Sequence, residues 1–441
     1  MTVKQECKAW TLLSVGALAI AGVFALLLVF SRTPVIQDIL PWPWKSFFHK
    51  GLVTHVVFSF VVWFLATMGA MWSYGYAQRV GGATRSQVGS VALALVSLGC
   101  VGLILPALLD LGTAELNNYI PVMNHPVYFA GLVCLFLGLA LVAVREVSTM
   151  QWGQGSTICA GLYLIALCCM GLAYSFLPTD LAEPTYNERL FWGGGHVLQF
   201  VNTALLIMAW MYVVKEGSGV DFLSKPIATV TFVLLFLFAL PASFIYGLFD
   251  VLGQAHRDFY TNMLRYGLPL PSIIASIGLL RFLLSPSASK LDRLTRHALW
   301  LSLVTYNLGG LYGLMLDGTD TRVPAHYHAV IGGINLAFMI LYHRVILPFV
   351  HVDIKEGRIF RSQYWFYGFG QIMHASGMFL AGLQGVPRKS AGGEQALDSV
   401  SKILSMGLMG LGGVIAVIGG VMFVVITLRW IMKGGRINEQ A

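Results

Sequence analysis

Long apolar runs alternate with short polar breaks along the whole chain. A helix needs about 20 mostly apolar residues to cross a bilayer. Windows of that kind lie near 10–30, 51–74, 89–109, 124–144, 156–177, 191–214, 227–253, 266–285, 296–316, 325–347, 363–383 and 403–430. The pattern predicts an all-α polytopic membrane protein: a twelve-helix transmembrane bundle with short loops, folded as a single transmembrane domain over 1–441. The first apolar run, Ala9 to Phe30, exceeds the roughly 7–15 residues of a signal-peptide core, so it reads as a span despite its flanking Lys4 and Lys8.

Composition strengthens this reading: 57% of the 441 residues are hydrophobic and 11% charged, which sets aside the soluble classes. The net charge of +8 would suggest a polyanionic partner, but the basic residues are distributed asymmetrically. Arg79, Arg85, Arg281, Arg293, Arg296, Arg344, Arg358, Arg361 and Arg436 fall on the side of the N-terminus, whereas Asp110, Glu115, Asp180, Glu183 and Glu188 fall on the other. The excess of positive charge places both termini in the cytoplasm, and no nucleic acid is needed to explain it. Six cysteines (Cys7, Cys100, Cys134, Cys159, Cys168 and Cys169) form no C-x-x-C pair and no C-x-x-C-H haem-attachment motif.

The chemistry lies in the histidines. In "AHYHAV", His326 and His328 are two residues apart, about 200° around a helix, and so point to opposite faces. His55 falls about 7 Å inside the outer edge of the second span at 1.5 Å per residue. "LFWGGGHVLQFVN" carries His196 on the sixth span, and "GQAHRDFYT" places His256 at the end of the seventh. Four spans thus bring imidazoles to the outer third of the bilayer, where ionisable groups are costly and mark function. His49 and His125 read as interfacial, His297, His343 and His351 as loop-end residues, and His374 equally as a ligand or as a buried hydrogen-bonding group. Imidazole is the usual axial ligand of haem iron; the opposed pair could serve two haems with one helix between them.

With these residues in place, the chain resembles, over essentially its whole length, the core subunit of the haem-copper oxidase superfamily, which includes cytochrome oxidases and nitric oxide reductases. "THVVFSFVVWFLATMGAMWSYGY" (Thr54 to Tyr76) is similar to the second span of nitric oxide reductases, and "GLQGVPRK" (Gly382 to Lys389) to a loop of cytochrome oxidases that holds haem propionates. The resemblance implies two haems, of type a, b or o. His55 and His328 would be the axial pair of a low-spin haem, and His326 the proximal ligand of a high-spin haem. His196 and His256 would be ligands of a non-haem copper or iron, with Arg388 and Lys389 on the propionates.

The pattern departs from the family at the reaction centre. Arg257 stands where a second adjacent histidine is usual, and a guanidinium has no lone pair to give a metal. Phe200 stands where oxygen reductases carry tyrosine and nitric oxide reductases glutamate, and "GLPLPSIIASIGLLRF" has no lysine. Tyr246 and Tyr260 flank His256 and offer a phenol, while Glu115, Glu183 and Glu188 offer a proton relay from the outer side. Two readings follow. One is a haem-dependent terminal oxidoreductase, with NO slightly favoured over O₂ because joining two NO molecules takes only two electrons and two protons. The other is a haem-bearing electron-transfer or scaffold subunit that has lost the non-haem metal. Either way, electrons would arrive from a cytochrome c-bearing or copper-bearing subunit, or from quinol. The expected location is a bacterial inner membrane, with the haem sites toward the outer side. A secondary transporter shares the span count but would hold no haem.

Overall fold

A computed structural model describes residues 1–31, 44–149, 155–316, 320–388 and 395–437. The chain is an all-α membrane bundle. Helix α1 (Val3–Ser31) precedes α2 (Trp44–Val56), which continues through a π-helical turn (Val57–Val62) into α3 (Trp63–Val80). Then come α4 (Gln87–Leu108), a small antiparallel hairpin of β1 (Ala114–Glu115) and β2 (Val122–Met123), α5 (Pro126–Ser148), α6 (Gly155–Phe176) and α7 (Glu183–Ser218). Helix α8 (Lys225–Ala239) ends in a 3₁₀ turn, Leu240–Gly247, and is followed by α9 (Gln254–Gly267) and α10 (Pro269–Leu284). The chain closes with α11 (Arg293–Gly313), α12 (Arg322–Leu341) with its own π-helical turn (Tyr342–Ile346), α13 (Arg358–Leu383) and α14 (Val400–Ile437).

Among the described residues, ten helical runs are long and apolar enough to cross a membrane. Helices α11 and α13 complete the twelve expected windows but are more polar. The 227–253 window is corrected: the helical run stops at Gly247 and a new helix starts at Gln254. His256 therefore opens the eighth run instead of ending the seventh. Gly247 and Gly253 bracket the break, too short a distance for an apolar count to register.

Contacts divide the chain into two compact units, 1–208 with 223–275, and 209–222 with 276–441. In the first, α1 begins with a reciprocal cap: Thr2 N–H donates to Gln5 Oε1 at 2.8 Å and Gln5 N–H to Thr2 Oγ1 at 3.2 Å. Helices α4 and α5 meet backbone to backbone at Gly99, Gly102 and Gly131, the close approach that small residues permit in membranes. The same unit buries paired charges. Arg145 donates to both oxygens of Glu6 at 2.8 and 2.9 Å, Ser73 donates to Glu6 at 2.8 Å, and Arg79 grips Glu146 at 2.7 Å. Glu6 is fully buried.

In the second unit, α13 and α14 interlock through Gly370, Gly377, Gly412 and Gly419, each in contact with the facing backbone. Trp210 Nε1 donates to Ser302 Oγ at 2.9 Å, and Ser302 donates onward to the Gly333 carbonyl at 2.7 Å, so the end of α7 is tied to α11 and α12.

Candidate haem and metal sites

His55 sits on the last turn of α2, just before the π-helical turn, a distortion frequent at functional sites. Its Nδ1 lies 2.9 Å from the carbonyl of Ala21 on α1. That contact makes Nδ1 the protonated nitrogen and leaves the Nε2 lone pair available. A ligating histidine commonly has its second nitrogen fixed in this way.

The second unit repeats the arrangement. His326, on the second turn of α12, holds the Gly309 carbonyl of α11 with Nδ1 at 2.7 Å. Gly313 lies beside the ring, and a β-carbon there would stand 2.8 Å from ring atoms of His326. The "LGGLYG" stretch is thus a cradle shaped for this imidazole, an unreadable detail until the two helices are placed together. His328 turns to the other side, where its ring meets that of His374 on α13 edge-on at 4.9 Å. The opposite-face expectation for the pair holds: one ring faces α11, the other α13. His374 is itself fixed by its Nδ1 to the Met409 carbonyl at 2.8 Å. Arg388 follows Pro387, which pairs with Asp320 just ahead of α12, and the Thr321 N–H donates to Val386 O at 3.0 Å. Its loop is therefore pinned near the start of the helix that carries His326. Lys389 lies outside the described residues.

His196 and His256 are both in the first unit and share one aromatic cluster. Tyr260 is 5.6 Å from His196 and 5.1 Å from His256 between ring centroids, and Tyr246 is 4.8 Å from His256. The "GGG" before His196 explains the density. Gly193 sits under the hydroxyls of Tyr246 and Tyr260, Gly194 against Met170, and Gly195 against Tyr119. Both nitrogens of His196 are occupied, Nδ1 by the Trp192 carbonyl at 2.6 Å and Nε2 by the Tyr119 hydroxyl at 2.9 Å. Burial, and secondarily the Glu188 carboxylate, push the pKa of the Tyr119 phenol well above its ordinary value. It stays protonated and donates to Nε2. His256 is the reverse case: fully buried, with no hydrogen bond to either ring nitrogen among the described residues.

These residues fit the haem ligands but not the non-haem metal. The axial candidates His55 and His326 are each oriented with Nε2 free of hydrogen bonds among the described residues. At the metal position, one imidazole is capped and a single imidazole is available. Arg257 lies over the Trp192 ring at 5.1 Å, and no group of three His, Cys, Asp or Glu suited to a metal occurs among the described residues. Phe200 is fully buried with its ring edge toward Gly267.

Glu115, Glu183 and Glu188 surround the hairpin but are tied up by amides. Asn124 bridges Glu115 and Glu183, Asn187 donates to Glu115 at 2.8 Å, and Asn118 donates to Glu188 through its backbone N–H at 3.1 Å. Tyr119, on the loop between β1 and β2, was missed by sequence reasoning because nothing in a polar loop marks its reach to α7.

The sequence matches the family described as Cytochrome C and Quinol oxidase polypeptide I over residues 7–422. An uncharacterized protein of Rickettsia prowazekii is 28% identical, with 98% of this chain and 97% of that one covered. An uncharacterized protein of Aquifex aeolicus is 32% identical, covering 75% and 83%. Cytochrome c oxidase subunit 1 of Thermus thermophilus is 21% identical over 81% and 71% of the two chains. Among solved structures, a heme-copper terminal oxidase dimer shares the fold with a TM-score of 0.67 at 18% identity, covering 98% of this chain and 83% of that one. The bundle and these matches agree: the chain belongs to the cytochrome c and quinol oxidase polypeptide I family, the core subunit of the haem-copper oxidase superfamily.

Proposed function

We propose that this integral membrane protein is a haem-dependent terminal oxidoreductase that reduces a small diatomic, NO in preference to O₂. In this reading His55 and His328 are axial ligands of a low-spin haem and His326 is the proximal ligand of a high-spin one. When bound, the haems supply electron storage and an open iron position for the diatomic. The carrying observation is that His55 and His326 each have Nδ1 fixed by a carbonyl from a neighbouring helix, at 2.9 and 2.7 Å. A ring held this way presents Nε2 in one direction without paying further rotamer entropy on ligation. Arg388 neutralises a propionate, with Lys389 beside it in sequence.

NO is preferred on stoichiometry: two NO, two electrons and two protons give N₂O and water, whereas O₂ needs four electrons and a prompt local donor. The chain has Phe200 at the position where oxygen reductases hold that phenol. Tyr246 and Tyr260 remain the phenols nearest His256, and Glu115, Glu183 and Glu188 are the proton donors assigned to the outer face. No step is assigned to a non-haem metal. Electrons come from a cytochrome c-bearing or copper-bearing subunit or from quinol, and the site faces outward from a bacterial inner membrane.

A second reading, a haem-bearing electron-transfer subunit without catalysis, is favoured by the capped His196. One set of measurements on the purified protein decides. The catalytic reading expects a reduced α-band, two haems per chain, and anaerobic NO consumption faster than O₂ consumption. Haem with neither gas consumed selects the second reading; a chain with no haem spectrum removes both.

A further inference from the structure

One device holds three of the histidines. In each case Nδ1 donates to a carbonyl of a neighbouring helix, and a small residue stands one turn further along that helix. His55 takes the Ala21 carbonyl with Ala25 beyond it, and His326 takes the Gly309 carbonyl with Gly313 beyond it. The third is His374 on α13, whose Nδ1 lies 2.8 Å from the Met409 carbonyl of α14, with Gly413 one turn on. A helix carbonyl bonded along its own helix still has a second lone pair to give. A residue without bulk one turn on leaves that lone pair open to a ring from the side. A β-carbon on Gly413 would stand 3.0 Å from His374 Nδ1, much as one on Gly313 would stand 2.8 Å from the His326 ring.

The first two copies of the holder orient the haem-ligand candidates His55 and His326. The third aims its ring at another candidate: His374 meets the ring of His328 at 4.9 Å between centroids, with the planes 78° apart. His374 is not placed to be the ligand across the iron from His328. A metal–imidazole bond is about 2 Å long, so two imidazoles on opposite faces of one iron have ring centres about 6 Å apart once the ring radii are added. At 4.9 Å the two rings stand on the same side. The role left to His374 is to act on His328.

We propose that His374 is a positioning residue for the low-spin haem: it sets the plane of the His328 ring, and α14 sets His374 through the Met409 carbonyl and Gly413. This rests on the reading of His328 as an axial ligand. Contacts around a ligating histidine fix its ring orientation and tune the metal it binds. The plane of an axial imidazole in turn governs how the d orbitals of a ferric haem split. A ring that only filled space between α12 and α13 would pack without a hydrogen bond to α14. The Nδ1 hold stops His374 from turning about its own side-chain bonds, and so gives His328 a wall of fixed angle.

Two variants of the intact protein in lipid nanodiscs release that hold. Gly413→Val pushes His374 off the Met409 carbonyl, and His374→Phe keeps a ring in place without a donor. Gly410→Val is the control, on the same helix with nothing within 4 Å of a β-carbon. Both variants should keep the wild-type haem content by pyridine haemochrome. Both should move the largest g value of the low-spin ferric signal in electron paramagnetic resonance by more than its linewidth. In redox titration, the reduction equilibrium of that haem should change at least threefold, about 28 mV for a one-electron couple. Gly410→Val should match wild type in every reading. Should Gly413→Val fail to assemble, His374→Phe is read alone. A wild-type signal and potential in His374→Phe overturns the positioning role, and so does a shift in Gly410→Val as large as in Gly413→Val. A wild-type chain with haem absent removes the axial reading of His328 and this role with it, whereas a low-spin signal that His374→Phe leaves unmoved removes this role alone.

Discussion

The hydroxyl of Tyr119 lies 2.9 Å from Nε2 of His196 and takes up the lone pair that a metal would use. A loop residue thereby decides the protonation and the availability of a histidine in the middle of a membrane bundle. Removing that hydroxyl leaves Nε2 buried without a partner, a loss of about 1–3 kcal/mol. Tyr119→Phe should therefore lower the thermal unfolding temperature in detergent, while raising the uptake of added Cu²⁺ or Zn²⁺ above the wild-type level. Unchanged metal binding would show that the cap is not what withholds His196.

The Glu6–Arg145 pair is fully enclosed, and Arg145 also lies 4.5 Å over the Tyr76 ring. Breaking a buried pair from one side strands a charge and costs about 3–5 kcal/mol, whereas replacing both members by apolar groups of similar size is far milder. Arg145→Met is expected to destabilise the protein severely, and the double variant Glu6→Leu with Arg145→Met to recover most of the loss. Urea or thermal melts of the three forms check this. Additive losses would mean that the pair does not act as a unit.

How much of this was legible in the sequence depends on range. Span positions followed from apolar run length, which is local, and the windows landed on helical runs except that 227–253 overran the end of its run at Gly247. The opposed rings of His326 and His328 followed from helix geometry. What could not be read is what each ring meets. The Ala21 and Gly309 carbonyls, the Tyr119 cap and the Gly313 cradle all depend on which helix is the neighbour. Arg145 and Glu146 lie just past the end of the 124–144 window, yet both belong to α5 and are turned inward to paired partners. The break before His256 escaped because Gly247 to Gly253 is still mostly apolar.

Asp320 offers a pH test outside the spans. Burial raises its carboxyl pKa, but hydrogen bonds from the Arg322 side chain and backbone, with the guanidinium charge, outweigh this and hold it below the ordinary value. A carboxyl depressed in the folded state stabilises above its unfolded pKa, and that contribution is lost as pH falls through the folded one. Asp320→Asn should thus be less stable than wild type at neutral pH, and the two melting temperatures should converge below about pH 4, the ordinary aspartate pKa. A constant gap down to pH 2 would show that the Asp320 charge contributes nothing to the hold on α12.

Gly313 gives the sharpest test of the haem assignment, because the substitution adds bulk without touching a ligand. A β-carbon there would lie 2.8 Å from His326 ring atoms, closer than carbon contacts allow. The ring must then leave the Gly309 carbonyl that now orients it. If His326 holds one of two haems, Gly313→Val should halve the haem per chain by pyridine haemochrome, as His326→Ala does, and should remove the carbon monoxide-sensitive part of the reduced spectrum. Gly310→Val is the matched control, since nothing lies within 4 Å of a β-carbon there. It should keep both haems. Full haem content in both Gly313→Val and His326→Ala would take His326 out of the coordination sphere, leaving its glycine cradle as packing alone.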